Sequence, residues 1–161
     1  MAQNALYRGL STAALALAAL VLNGCTAGVH LYPVSGPVAA QTPPQIYPAR
    51  LSVNFATRSG AFTATLADGE LFKGRWKLEV PGPVNKADVN DMSAIWDQVY
   101  GPGFYVAHVL GAPSCGKALV TGSKGTPLTI EICGAERGVA RDGKGDVYKM
   151  TVDGVAAAAN Q

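Results

Sequence analysis

Cys115-Gly116-Lys117-Ala118-Leu119-Val120-Thr121-Gly122-Ser123-Lys124-Gly125-Thr126-Pro127-Leu128-Thr129-Ile130-Glu131-Ile132-Cys133 reads as one β-hairpin, and it decides the class of the domain. Two runs that alternate apolar and polar residues flank the turn-like Gly122-Ser123-Lys124-Gly125, and period-two alternation marks a half-buried strand. The two cysteines are equidistant from Lys124. Folding about that residue sets Lys117 across from Glu131 and Val120 across from Leu128, so Ala118, Val120, Leu128, Ile130 and Ile132 share one apolar face. Cys115 then faces Cys133, a placement that can be bridged between non-hydrogen-bonded strand positions.

Downstream, a second hairpin runs from Val139 through Asp142-Gly143-Lys144-Gly145 into Val147–Val152, with Tyr148, Met150 and Val152 as its inner face. Upstream, Leu51-Ser52-Val53-Asn54-Phe55 alternates strictly, and so do Phe62, Ala64 and Leu66. A turn at Asp68-Gly69 leads into Phe72, Gly74 and Trp76. Because a one-residue slip inverts every side chain, the pattern favours a register with Leu66 across from Phe72 and Phe62 across from Trp76. Gly69 then takes the left-handed position of a bulged turn. Phe104 to Leu110, apolar except for His108, is expected to be a central strand. Met92, Ile95, Trp96 and Val99 recur at helical spacing, with Asp88 or Asn90 as the cap and Gly101-Pro102-Gly103 as the stop. Trp96 and His108 read as core residues. The tail from Ala156 to Gln161 carries no packing pattern.

The chain has 161 residues, only 15% of them charged, with 19 glycines, 10 prolines and a formal net charge of +2. That length suits one domain after an N-terminal segment. Low charge with abundant turn residues suits β structure better than helix. No basic stripe stands beside an aromatic platform, which argues against nucleic-acid binding.

Arg8 is the first charge, and an Ala/Leu run from Leu10 to Leu22 follows it. A dozen apolar residues fall short of the roughly 20 needed to span a membrane but match the apolar part of an export signal. The run ends in Leu22-Asn23-Gly24-Cys25, which resembles the lipobox of bacterial lipoproteins. The resemblance implies diacylglyceryl transfer to the Cys25 thiol, cleavage before Cys25 and a protein held on a membrane by lipid. Each buried methylene contributes about 0.8 kcal/mol to such an anchor. Thr26, rather than Asp, follows the cysteine, which in enterobacterial lipoproteins directs the product to the outer membrane, facing the periplasm. With Cys25 acylated, Cys115 and Cys133 form an even pair in an oxidising compartment and are expected to be a disulfide.

Residues 25–50 carry Pro33, Pro37, Pro43, Pro44 and Pro48, half of all prolines. A lipidated Pro-rich tether is expected there. The alternation of His30, Tyr32 and Val34 leaves an edge strand as the competing reading. The division is thus a signal segment over 1–24, a tether over 25–50, a β domain over 51–153 and a loose tail over 154–161.

Catalytic groups are sparse. His108 with Ser114 is the one pairing that could serve a hydrolase, and it lacks an orienting third group in sequence. No His/Cys spacing suits zinc, and Asp142-Gly143-Lys144-Gly145-Asp146 reads as a hairpin turn rather than a calcium loop, since Lys144 occupies a ligand position. No phosphate-cradling glycine pattern occurs, so neither a metal nor a cofactor is expected. Asp68-Gly69-Glu70-x-Phe72-x-Gly74-Arg75-Trp76, Cys133-Gly134 and Gly138-Val139-Ala140-x-Asp142-x-x-Gly145-x-Val147-Tyr148 together resemble a group of small exported bacterial lipoproteins of unknown function. That resemblance implies architecture and carries no activity.

The expected fold is all-β: an antiparallel sandwich or partly open barrel of seven or eight strands with one short helix. Three functions compete. The first is a non-catalytic envelope module that binds a protein partner or supports the envelope. The second is a carrier of a small apolar ligand in a β cavity lined by residues such as Phe104, Trp76 and Trp96. The third is a hydrolase using Ser114 and His108.

Overall fold

The computed structural model describes residues 25–54, 56–83, 91–134 and 136–153. The signal segment, the proposed caps Asp88 and Asn90, Phe55 and the tail from Ala156 lie outside these residues. Eight antiparallel strands follow one another around a closed barrel: β1 (Cys25–Ser35), β2 (Tyr47–Val53), β3 (Ser59–Thr65), β4 (Leu71–Leu78), β5 (Cys115–Thr121), β6 (Pro127–Cys133), β7 (Arg137–Asp142) and β8 (Val147–Val152). β1 closes the ring by pairing with both β2 and β8. The all-β class, the strand number and the short helix agree with the sequence. Closure removes the sheet edges that a sandwich or open barrel would leave.

The Cys115–Cys133 hairpin is formed as expected, with Lys117 opposite Glu131, Val120 opposite Leu128 and Cys115 opposite Cys133. The cysteines are bridged, their Cα atoms 4.0 Å apart. The 142–145 turn is also as read. There the Asp142 carboxylate accepts the amides of Lys144 and Asp146, each at 2.9 Å. In the β3–β4 hairpin the faces are right but the register differs by two residues. Phe62 faces Gly74 and Ala64 faces Phe72, because the loop is a tight 3-10 turn over Ala67–Gly69. Asp68 and Gly69 both adopt positive φ, of 62° and 68°.

The tether reading of residues 25–50 fails: 25–35 and 47–50 lie in barrel strands, so the β domain includes residues before Leu51. Cys25–Ser35 is a barrel strand with a neighbour on each side, not a spacer and not an edge. Val29 and Leu31 face inward and are buried, whereas His30, Tyr32 and Val34 face out. The two strand prolines stand at the margins of a ladder, where proline is tolerated. Pro33 lies beyond the β2 ladder and beside the irregularity against β8. Pro48 lies one residue beyond the β3 ladder. The connecting loop over 36–46 tucks Val38 into the core, held by its amide on the Asp146 carboxylate at 2.8 Å.

The strand expected over Phe104–Leu110 does not exist. After α1 (Met92–Tyr100), a π-helical turn over Tyr105–Val109 packs with that helix on the outside of the barrel. Asp91 caps α1 in place of Asp88 or Asn90, accepting the Ser93 amide at 2.9 Å. Asp97, one turn before the helix end, accepts the amides of Gly103 and Tyr105 and so folds the chain back on itself. The apolar run therefore continues helical winding because a carboxylate holds its first amides, a contact that periodicity does not reveal.

Two cores result. Inside the barrel lie Leu31, Tyr47, Phe62, Phe72, Leu128, Tyr148 and Met150 with their neighbours. Outside, Trp96, Ile95, Tyr105, Val109, Cys115, Val139 and Val147 form a second cluster beneath the helix. Trp96 is fully buried there and donates its indole N–H to the Glu131 carboxylate at 2.8 Å.

Candidate functional site

The barrel interior is filled at one end and hollow at the other. Inward positions near the closed end carry large side chains: Tyr47, Phe72, Tyr148 and Met150 are all nearly inaccessible. Toward the opposite end they shrink to Cys25 and Ala27 on β1 and to Gly116 and Ala118 on β5. An eight-stranded barrel is just wide enough for side chains to fill it or for one small ligand to enter. The missing side-chain volume leaves a cavity of about 580 Å³, within the range of single-ligand pockets.

The cavity wall is apolar: Ala27, Leu51, Val53, Phe62, Trp76, Leu78, Ala118, Ile130, Ile132 and Val152, with Cys25, Asn54, Ser114, Gly116 and Gly134 completing it. Cys25, Ser114 and Gly134 are exposed, so the cavity reaches solvent at the end where β1 and β5 begin and β2, β4, β6 and β8 finish. Trp76 forms part of the wall. Its indole N–H donates to the Ser52 carbonyl at 2.8 Å, which leaves the ring with no unsatisfied polar atom facing the hollow. Gly116 makes room for that ring, since a Cβ there would stand 2.6 Å from it.

The closed end is polar but sealed. Glu70, buried, accepts hydrogen bonds from the Thr126 hydroxyl at 2.8 Å, the Thr126 amide at 3.2 Å and the Lys124 amide at 3.1 Å. The Lys144 ammonium lies 3.4 Å from the same carboxylate. Burial alone would push the Glu70 carboxyl up, but these bonds outweigh it and hold it below the usual range. Gly122 must lack a side chain, because a Cβ would collide with this carboxylate. Burial raises the Asp142 carboxyl, and burial together with Asp142 raises the Tyr148 hydroxyl beyond it. These groups are occupied in bonding one another and form a plug rather than a binding site.

Of the residues singled out in sequence, Cys25 stands at the cavity rim, with its side chain on the same inward-facing row as Ala27, Val29 and Leu31. Trp76 lines the cavity as expected. Phe104 and Trp96 do not: they stack on one another at 5.9 Å on the outer face of the barrel. Ser114 lines the rim. His108 is no core residue. It is exposed on the π-helical turn, its ring 4.6 Å from that of Phe104, and no hydrogen bond joins it to Ser114 among the described residues. Cys115 and Cys133 sit on the outer face, away from the cavity interior. Alternation identified most of the inward row. Which stretch of it would remain unfilled depended on residue size at matching heights on eight strands, and no single segment reveals that.

Among the described residues no group of three or more His, Cys, Asp or Glu is placed to hold a metal ion. Nor is any helix there long and apolar enough to cross a membrane. No protein-family model, curated protein or solved structure matches the chain.

Proposed function

We propose that this chain is an envelope lipoprotein, anchored through Cys25, whose barrel binds one small apolar molecule or acyl chain and performs no chemistry on it. The carrying observation is the apolar cavity of about 580 Å³ with Trp76 in its wall. It moves the ligand-carrier reading ahead of the protein-binding module, which has no comparably specific feature supporting it. The Ser114/His108 hydrolase has no hydrogen bond between the two residues to support it, and His108 is exposed. Lipid anchoring is supported by the order of Arg8, the Leu10–Leu22 run and Leu22-Asn23-Gly24-Cys25. Localisation to the outer membrane, facing the periplasm, rests on Thr26 alone.

The binding test uses full-length chain carrying Cys25→Ser and Trp96→Phe, so that Trp76 is the sole tryptophan. Titration with a brominated fatty acid should quench Trp76 fluorescence and saturate at one equivalent. Ala118→Phe, which fills the cavity, should weaken binding at least about tenfold while circular dichroism remains that of a β-barrel. Absence of saturable quenching in a parent chain whose circular dichroism is that of a β-barrel would remove the proposal. Anchoring is tested separately: radiolabelled palmitate should enter the native chain and not the Cys25→Ser variant.

A further inference from the structure

We propose that the natural occupant of the cavity is one acyl chain of the lipid that Cys25 itself carries. The inference rests on the reading that Cys25 bears a diacylglyceryl thioether and that the barrel takes an apolar chain. Three observations point from that reading to a self-occupied barrel. Cys25 is not separated from the domain by any spacer, because it is the first residue of β1 and pairs with Val53. Its side chain belongs to the inward row and forms part of the cavity rim. The interior beyond it offers only apolar surface along Ala27, Leu51 and Ile130.

A thioether leaving Cys25 therefore starts at the mouth of the apolar cavity. Moving an acyl chain from bilayer to barrel exchanges one apolar surrounding for another, so the direction is decided by tethering and by fit. A chain held through a short flexible linker has an effective concentration on the order of millimolar, which favours it over a competing free chain. Val80, two residues past the end of β4, is exposed at this same end of the barrel, where the second chain leaves for the bilayer. Sheltering one chain changes the anchor. Two chains in a bilayer hold a protein stably, whereas a single chain binds only marginally and reversibly. The barrel thus sets how firmly its own protein is held, and a competing apolar ligand that expelled the chain would tighten the attachment.

The test labels cells metabolically with a fatty acid bearing a diazirine and an alkyne, which enters both the Cys25 lipid and the membrane phospholipids. The native full-length chain is irradiated in the membrane, purified and digested. Peptides from β5 and β6 that contain Ala118, Ile130 or Ile132 should carry an adduct covalently joined to the Cys25 peptide. Ala118→Phe and, independently, Ile132→Trp should abolish that adduct while lipidation persists. If the same peptides carry only free phospholipid in the native chain, the self-occupancy inference is overturned and the ligand-binding reading stands. If the native chain gives no cavity adduct but the Cys25→Ser chain captures free lipid there, self-occupancy is likewise overturned. Absence of cavity adducts from both chains would overturn both readings, and absence of lipid on Cys25 would overturn this one.

Discussion

Glu70 and Glu131 are both carboxylates with almost no solvent contact, yet their surroundings drive them in opposite directions. Burial pushes Glu70 up, but the Thr126 hydroxyl and amide, the Lys124 amide and the Lys144 ammonium overcome it and lower it from 4.5. Burial raises Glu131 from 4.5, and one indole N–H from Trp96 together with Lys117 across the strand offsets this only in part. Linkage gives the two opposite pH signatures. The contribution of Glu70 is complete above its unfolded value and is lost as pH falls through the depressed folded value. That of Glu131 is complete below its unfolded value and is lost as pH rises through the raised folded value. Thermal melts across pH 2 to 8 should therefore separate them. Glu70→Gln should be less stable than the native chain at neutral pH and lose less on acidification. Glu131→Gln keeps an acceptor for Trp96 and should melt higher than the native chain at neutral pH, with the gap closing in acid. A Glu131→Gln protein that melts lower at neutral pH would contradict this account.

The β5–β6 hairpin and α1 carry the outer core, and each makes its own prediction. The bridge closes a segment whose ends are 18 residues apart, a loop that contributes about 3 kcal/mol by limiting the unfolded chain. Replacing Cys115 and Cys133 together by Ala should lower the denaturant midpoint by a corresponding amount, with the barrel retained. α1 buries Met92, Ile95 and Trp96 against the sheet. Trp96→Ala removes a fully buried indole and leaves the Glu131 carboxylate without its donor. A loss of about 3–5 kcal/mol is expected, read by chemical denaturation. Hydrogen exchange should show the amides of Met92–Tyr100 losing protection first, because the helix touches only the outer face and the barrel ladder remains closed without it.

For the molecule as a whole, the two barrel ends differ in kind. The closed end is sealed by Val38, Glu70, Asp142 and Asp146, all buried. The open end carries Cys25, the cavity mouth and the exposed Val80, two residues past the end of β4. An anchor at Cys25 with no intervening spacer would hold the open end against the bilayer. Lipidated protein in liposomes should then show slow maleimide labelling of Val80→Cys and fast labelling of Lys124→Cys, which lies at the closed end. Detergent should make the two rates alike. Equal rates in liposomes would mean that the barrel does not sit with its mouth on the membrane.

Local alternation and turn chemistry were enough to determine the β5–β6 hairpin, and the faces of β3 and β4 but not their register. Cys115 opposite Cys133, the Asp142–Gly145 turn, the helix around Trp96 and the inward rows of β3, β4, β6 and β8 all follow from period, turn residues and parity, which act between near neighbours. Three things were decided only by tertiary structure. Residues 25–35 became a strand because β2 and β8 both offered partners and because Pro33 stands beyond the β2 ladder, beside the irregularity against β8. Phe104–Leu110 became a helical turn on the outer wall because Asp97 holds its first amides, whereas composition alone suits a buried strand equally well. The cavity exists because small residues far apart in sequence, Ala27 on β1 and Gly116 and Ala118 on β5, line the same end of the barrel when the sheet closes. Closure is a relation among eight segments, so the hollow and the place of Cys25 at its mouth belong to no one stretch of the chain.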